Sequence, residues 1–458
     1  MIQKCRVFAL SLVNLVNGSQ VLKKIVISSS WLAVERIFRL IISFFVGIAI
    51  ARYLGPDQFG QLNYAQSFVA LFSTVAALGL EGIVVRNIVR QPERRDEILG
   101  SAFVLKLFGS LSTIAFTIAL IIFLRPDDPH MQWMVALVAM GMILQAFDTI
   151  DYWFQSQVNA KVKVYTYATS FFLISMLKVV LIVIKAPLIA FAYAGMAEAV
   201  IIMIGLLIGY RVHGNYLRKW RASLTCSLEM LKDSWPLILS SLAILIYMRI
   251  DQIMIGDMVG NHELGIYSVV VRLGEMWYFV PLAIVSSTYP SIVASKQISE
   301  EIFYERLQHL FDVMALIGYI VAIATTFLAS FLVSFFGQEY SAASSLLICY
   351  IWVGLFVNLG LARSSFLNTM NYTKWQFVTS VMGCILNVLL NLLLIPRYGA
   401  MGATIASLFS YWFQTHASCF FFKPLHQVGA MQTKAILVPF RLKKIIAQLP
   451  IRSKGEYL

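Results

Sequence analysis

Residues 51–67 read "ARYLGPDQFGQLNYAQS", and 205 positions further on residues 255–272 read "IGDMVGNHELGIYSVVVR". With that shift Gly260 falls under Gly55 and Gly265 under Gly60. In each copy one glycine closes a helix and a second, five residues later, precedes the next. Glycine suits both posts, because it accepts the left-handed backbone of a helix end and lets backbones approach closely. A second echo follows: "WFQSQVNAKVKV" at 153–164 is matched by "SFLNTMNYTKW" at 365–375, with Phe154 and Phe366, Asn159 and Asn371, and Lys161 and Lys374 in nearly the same order. The chain is read as two copies of one unit.

The segments around these turns decide the solvent. With 59% hydrophobic and 13% charged residues, and a mean hydropathy of +0.77, the chain exceeds the soluble mix of roughly 45–50% apolar and about 25% charged residues. Apolar runs of about 20 residues, enough to cross ~30 Å of hydrocarbon, recur from end to end. Twelve spans are expected, near 30–52, 62–83, 100–124, 132–152, 165–185, 188–210, 235–256, 265–292, 309–334, 341–362, 376–395 and 400–422. The longest internal connection, 211–233, is too small to fold as a catalytic domain.

Topology follows from the cations. Of 36 Lys and Arg, 26 fall in the amino-terminal segment, the loops after even-numbered spans and the carboxyl tail, whereas Arg52, Arg125, Lys185 and Arg397 are those in the loops after odd-numbered spans. By the positive-inside rule both termini are cytoplasmic. This accounts for the net charge of +13 without nucleic acid as a partner. The start of the chain is read as an interfacial helix and the basic tail as lying on anionic membrane lipid. Cys5, Cys226, Cys349, Cys384 and Cys419 are scattered, so neither a disulfide framework nor a metal site is expected. No phosphate-cradling glycine loop follows a soluble strand, which argues against ATP hydrolysis.

Six spans per copy is an even number, so both copies enter the membrane in the same orientation. The fold expected is all-α: a polytopic membrane protein of about twelve helices in two parallel six-helix bundles around a central cavity. The segments are 1–29 (amino-terminal), 30–210 (first lobe), 211–234 (cytoplasmic linker), 235–422 (second lobe) and 423–458 (basic tail).

The runs "IARYLGPDQFGQLNYAQSF" (50–68), "LGLEGIVVRNIVR" (78–90), "RIDQIMIGDMVGNHELGIYSVVVRLGEMWYFVPLAIVSSTYPSI" (249–292) and "IPRYGAMGATIASL" (395–408) resemble the polysaccharide-biosynthesis flippases of the multidrug/oligosaccharidyl-lipid/polysaccharide exporter superfamily. The resemblance covers spans 1 to 12. It implies movement of undecaprenyl-pyrophosphate-linked oligosaccharide repeat units, for O-antigen or a related surface polysaccharide, across the bacterial inner membrane. It also makes the polymerase and chain-length regulator of that pathway candidate partners. No catalysis and no cofactor are expected beyond a proton or sodium gradient. The alternative is a cation-coupled exporter of drugs or small metabolites.

Charges within the spans are the candidate site residues. An intramembrane cation costs at least ~2.5–3.5 kcal/mol, so each needs a partner, a wet cavity or a route to the headgroups. Arg36 and Arg39 are three apart on span 1 and share a face, with Arg39 the deeper. Lys106, early in span 3, is expected at the inner interface. Arg249 and Arg272 fall at similar depth, about 12 Å below the turn between spans 7 and 8, with Asp251 and Glu275 beside them. That cluster binds cargo or pins two helices together. At the offset of 205 its positions become Phe44, Val46, Ser67 and Ala70, so packing of this helix pair does not require the charges. Arginine suits a diphosphate, because its planar fork binds phosphate oxygens bidentately. Asp251, Glu275, Asp148, Asp151 and Glu81 are the candidates for ion coupling or gating. Glu81 and Arg86, five apart, resemble an inner gate pair or a helix-end salt bridge. Pro281, in mid-span 8, removes a backbone donor and is read as a hinge.

Overall fold

The computed structural model describes residues 20–441, and for 20–34, 37, 236, 237 and 240 the backbone alone. The interfacial helix expected before residue 20, the tail beyond 441 and Cys5 lie outside the described residues. Among the described residues there is no strand. The helices are α1 Gln20–Ala77, α2 Glu81–Arg90, α3 Arg95–Leu124, α4 Pro129–Leu144, α5 Thr149–Ser156, α6 Ala160–Val183, α7 Leu188–Val212, α8 Leu224–Met258, α9 Asn261–Glu275, α10 Phe279–Ile298, α11 Glu300–Ser334, α12 Ala343–Tyr350, α13 Val353–Thr369, α14 Thr373–Thr415 and α15 His426–Ile436.

Nine apolar helical segments among the described residues are long enough to cross a bilayer. Two of them, Phe38–Arg90 and Thr373–Phe421, contain a glycine break, at Gly55 and Gly399, and so make two crossings each. α8, 35 residues long, supplies a further one. The result is the twelve-span, all-helical membrane protein expected. The helix surfaces carry large exposed apolar side chains, among them Phe116, Phe123, Val183, Phe327 and Leu393, which suit a lipid environment.

The repeated turns are tighter than loops. Gly55 has φ 65° and ψ 172°, and Gly260 has φ 126° and ψ 173°. Both angles lie in a region open essentially to glycine alone. The second echo shares its geometry as well. Val158 (φ 52°) and Asn371 (φ 57°) each end a helix in the left-handed conformation. The next amide returns to a carbonyl five residues back, Asn159 N to Phe154 O at 3.0 Å and Tyr372 N to Leu367 O at 2.7 Å. The start of α4 is capped by Asp128, whose carboxylate accepts from Met131 N at 3.0 Å ahead of Pro129.

The chain divides into two compact units, Met1–Ile253 and Met254–Leu458, with the break inside α8. In the first unit the connections after odd-numbered spans meet at one end, where Tyr53 donates to Ala186 O at 2.7 Å and the Arg125 guanidinium stacks 4.1 Å from the Tyr64 ring. Those after even-numbered spans meet at the other. There Leu80, Val84, Leu99, Phe154, Leu206 and Tyr210 form one apolar core.

The connection after α7 is fastened along that second end. Trp220 Nε1 donates to Tyr210 at 3.0 Å, Arg221 N to Asp96 O at 3.2 Å, and Ser223 N to Ser101 Oγ at 3.0 Å. The fit depends on Gly100, because a Cβ there would sit 2.5 Å from Arg221 O.

In the second unit α15 is tied to α11 by Gln308 Nε2 to Met431 O (3.2 Å) and by Tyr319 to Ile436 O (2.7 Å). Arg363, counted above among the inner-loop cations, is instead fully buried. Its guanidinium donates to Gln414 O at 2.8 Å and Thr415 O at 3.1 Å, serving the orphan carbonyls at the end of α14.

Candidate functional site

The densest polar arrangement within the first unit is built around a break in span 4. A 3₁₀ turn, Gln145–Asp148, separates α4 from α5. Residues 148, 151, 152 and 155 therefore line one face. Asp151 is 2% exposed; its Oδ2 accepts from Lys163 Nζ at 2.6 Å and from Gln155 Nε2 at 2.9 Å. Its Oδ1, also buried, accepts no hydrogen bond. The Gln155 amide donates as well to Glu81 Oε1 at 2.9 Å, joining α2 to the same face.

Asp148 accepts from the Tyr167 hydroxyl at 3.3 Å and lies 3.8 Å from Lys106 Nζ. That ammonium also donates to the Tyr152 hydroxyl at 3.2 Å. Arg39 completes the array. Its guanidinium lies 5.7 Å from the Tyr167 ring centre and 5.5 Å from that of Phe171, while its Nε donates to Glu35 at 2.8 Å.

Beside this network a cavity of about 260 Å³ is lined by Gln145, Asp148, Tyr167 and Glu198. Among the described residues the Glu198 carboxylate makes no ion pair or hydrogen bond. Cations and carboxylates that alternate at these distances can hand over charge. A proton or small cation taken by Asp148 or Asp151 would loosen Lys106 or Lys163, and the reverse.

The structure thus brings together Arg39, Asp148, Asp151 and Glu81 from the sequence candidates. It leaves Arg36 exposed and without a polar partner among the described residues. Lys106 corrects the reading above: it is 1% exposed and does not reach an interface, since α3 begins at Arg95 and places it ~16 Å along the helix. Glu81 and Arg86 are not a pair either. Arg86 Nη2 donates to Asp233 Oδ2 at 2.5 Å, whereas Glu81 is held by the Gln155 amide.

Sequence reasoning missed Glu35, Lys163, Tyr167 and Glu198. Glu35, four residues before Arg39 on one helix, carried a usable signal.

The cluster drawn from spans 7 and 8 is divided between the units. Half-buried Arg249 and buried Asp251, whose Oδ1 accepts from Gln252 N at 2.8 Å, belong to the first. Half-buried Arg272 and Glu275 belong to the second, where Arg272 makes no hydrogen bond or ion pair within its own unit. Span 8 is interrupted four residues after Arg272 by a 3₁₀ turn, Met276–Tyr278, and Pro281 sits in the first turn of α10. With Trp277, Tyr278 and Val280 it lines an apolar cavity of about 190 Å³. Cys226, Cys349, Cys384 and Cys419 are free thiols.

Comparison with known proteins gives a consistent picture. Residues 25–296 match the family model described as polysaccharide biosynthesis protein, and residues 236–393 match the MatE model. The chain is 23% identical over 219 residues to the probable flippase AglR of Haloferax volcanii, an alignment covering 46% of this chain and 44% of that protein. It is 26% identical over 183 residues to the uncharacterized membrane protein MJ1375 of Methanocaldococcus jannaschii, covering 40% and 43%. The matched part therefore spans less than half the length of either curated relative.

Among solved structures, the inward-facing conformation of a multidrug resistance MATE family transporter of the MOP superfamily superposes with a TM-score of 0.66 at 12% identity, over 90% of this chain and 96% of that one. The lipid II flippase MurJ in its inward closed conformation does so with a TM-score of 0.62 at 14% identity, over 93% and 94%. At these identities the likeness establishes the fold.

Proposed function

The chain belongs to the polysaccharide-biosynthesis protein family of the MOP superfamily, and from that membership we propose that it is a flippase for lipid-linked oligosaccharides. Its cargo in this reading is an undecaprenyl-pyrophosphate-linked repeat unit of O-antigen or a related surface polysaccharide. Carriage is across the bacterial inner membrane, by alternating access coupled to protons or sodium. Both termini are cytoplasmic. The polymerase and chain-length regulator of the same pathway are its neighbours.

The observation that carries this reading is the ionic network inside the first unit. Lys163 approaches from the first turn of α6, while Arg39 and Lys106 are held within membrane spans. Each such cation carries a desolvation cost of at least ~2.5–3.5 kcal/mol, which transport of an apolar drug gives no reason to bear. A diphosphate cargo with a compensating ion flux does. Arg272, with Arg249, Arg39 and Arg36, is assigned to the diphosphate; Asp148, Asp151, Glu81, Asp251 and Glu275 to the coupling ion or gate; Pro281 to the hinge.

A second reading, a cation-coupled exporter of small molecules, is favoured by the match of residues 236–393 to the MatE model. Proteoliposomes loaded in parallel with a fluorescent lipid-linked oligosaccharide and with a cationic dye separate the two. We expect scrambling of the lipid-linked glycan, abolished by Arg272→Ala at normal protein abundance and partly kept by Arg272→Lys, since a point charge lacks the bidentate fork. Gradient-driven dye efflux without glycan movement would replace the first reading by the second.

A further inference from the structure

The most spacious of the cavities described is remote from the ionic network. About 590 Å³ in volume, it lies at the end of the first unit where the connections after spans 1, 3 and 5 meet. Tyr53, Gln58 and Gln61 line it from the first turn, Asp128 and His130 from the second, and Lys185 to Leu188 from the third. That volume falls in the ~300–1,000 Å³ range of small-molecule sites, whereas the cavities of about 190 and 260 Å³ do not.

The walls are fixed. The Tyr53 hydroxyl holds the 184–187 connection through Ala186 O at 2.7 Å, and Leu188 and Ala186 are buried beneath it. The functional ends, by contrast, are open. Among the described residues the side chains of Gln58, Gln61, His130 and Lys185 make no hydrogen bond or ion pair with the protein.

The turn itself does not require these residues. At the offset of 205 Tyr53, Gln58 and Gln61 become Met258, Glu263 and Ile266, in a turn with nearly the same ψ at its glycine. The two carboxamides are therefore additions to a fold that closes without them.

We propose that this cavity is a sugar-binding vestibule, which takes the hydroxyl-rich glycan part of the cargo at the face that the distribution of Lys and Arg assigns to the outside. The inference rests on the flippase reading and adds the place where the carbohydrate is held. Each carboxamide offers a donor and an acceptor a little over 2 Å apart, and each sugar hydroxyl both donates and accepts. Asp128 supplies acceptors and Lys185 and His130 supply donors, so the lining is of mixed sign. That mixture fits a neutral polyol better than a phosphate, which would meet the Asp128 carboxylate.

The test uses the full chain in nanodiscs, with a soluble oligosaccharide prepared by mild acid hydrolysis of the cell's own surface polysaccharide as the probe. Saturation-transfer NMR should detect its binding to the unaltered protein. Gln58→Ala/Gln61→Ala should weaken it at least tenfold and slow scrambling of the lipid-linked cargo, while thermal stability stays unchanged because both side chains are unpartnered. Inorganic phosphate should not compete. Equal binding by both proteins, or displacement of the oligosaccharide by phosphate, would overturn the vestibule while scrambling by the unaltered protein kept the flippase reading. If the unaltered protein neither scrambles the lipid-linked cargo nor binds the oligosaccharide, both fall together.

Discussion

Replacing Asp148 by Asn takes from the Lys106 ammonium, 2% exposed in its side chain, its ion-pair partner at 3.8 Å and leaves the Tyr152 hydroxyl at 3.2 Å, with Asp151 and Glu81 as more distant counter-charges. Breaking a buried pair costs up to about 3–5 kcal/mol, so Asp148→Asn should lower the melting temperature in fluorescence-detected size exclusion. Lys106→Met should cost less, because the Asp148 side chain is 29% exposed and keeps the Tyr167 hydroxyl. The double variant should recover most of the loss. A double variant no more stable than Asp148→Asn would remove the ion pair from this account. Glu35 and Glu198, acids within spans 1 and 6, went unread, but Asp148, Asp151 and Glu81 were legible in the sequence, because an acid within an apolar span stands out. Their partners were not. Lys106 is 42 residues from Asp148 and Tyr167 is 19, and nothing local says which helix faces which. Gln155, four residues beyond Asp151 on the same helix, and Lys163, 12 residues beyond it across one turn, were within reach of a local argument.

Helices begin and end here on a few residues, and these too can be tested singly. A Cβ on Gly260 would meet nothing within 4 Å, so the whole effect of Gly260→Ala comes from holding alanine at φ 126° and ψ 173°. That strain is of order 1–3 kcal/mol, and unfolding monitored in detergent should show it for Gly260→Ala and for Gly55→Ala alike. Gly100→Ala acts differently: its Cβ would displace the Arg221 carbonyl at 2.5 Å, so the segment across the inner end of α3 should lift. Limited trypsin digestion should then cut at Arg218, Lys219 or Arg221 faster than in the parent protein, and equal rates would leave the fastening unsupported. The repeated glycines announced their turns because no other residue suits those angles. Pro281 likewise marked the interruption of span 8. The break at Gln145–Asp148 carries no glycine or proline and was not anticipated; tertiary packing, with Ala146 fully buried, sets it.

For the molecule as a whole, the distribution of Lys and Arg makes a claim about sidedness that impermeant maleimides can check. In a variant without native cysteines, Arg90→Cys should be labelled only from the cytoplasmic side, and His130→Cys and Lys185→Cys only from outside. Labelling of Arg90→Cys from outside would reverse the topology. The number of spans and the alternation of their connections were readable because a bilayer imposes one length and one charge rule on every crossing. The site was less readable, because it depends on contacts between helices distant in sequence. The fastened connection after α7 also bears on how the protein is made. Trp220 and Ser223 return to helices already synthesised, so the first half can close over its own last residues while the second half is still on the ribosome. Residues 1–223 and 224–458 should for that reason be deliverable as two polypeptides from separate genes that reassemble in the membrane, whereas a cut at 212, upstream of the fastening, should leave an amino-terminal fragment that is degraded.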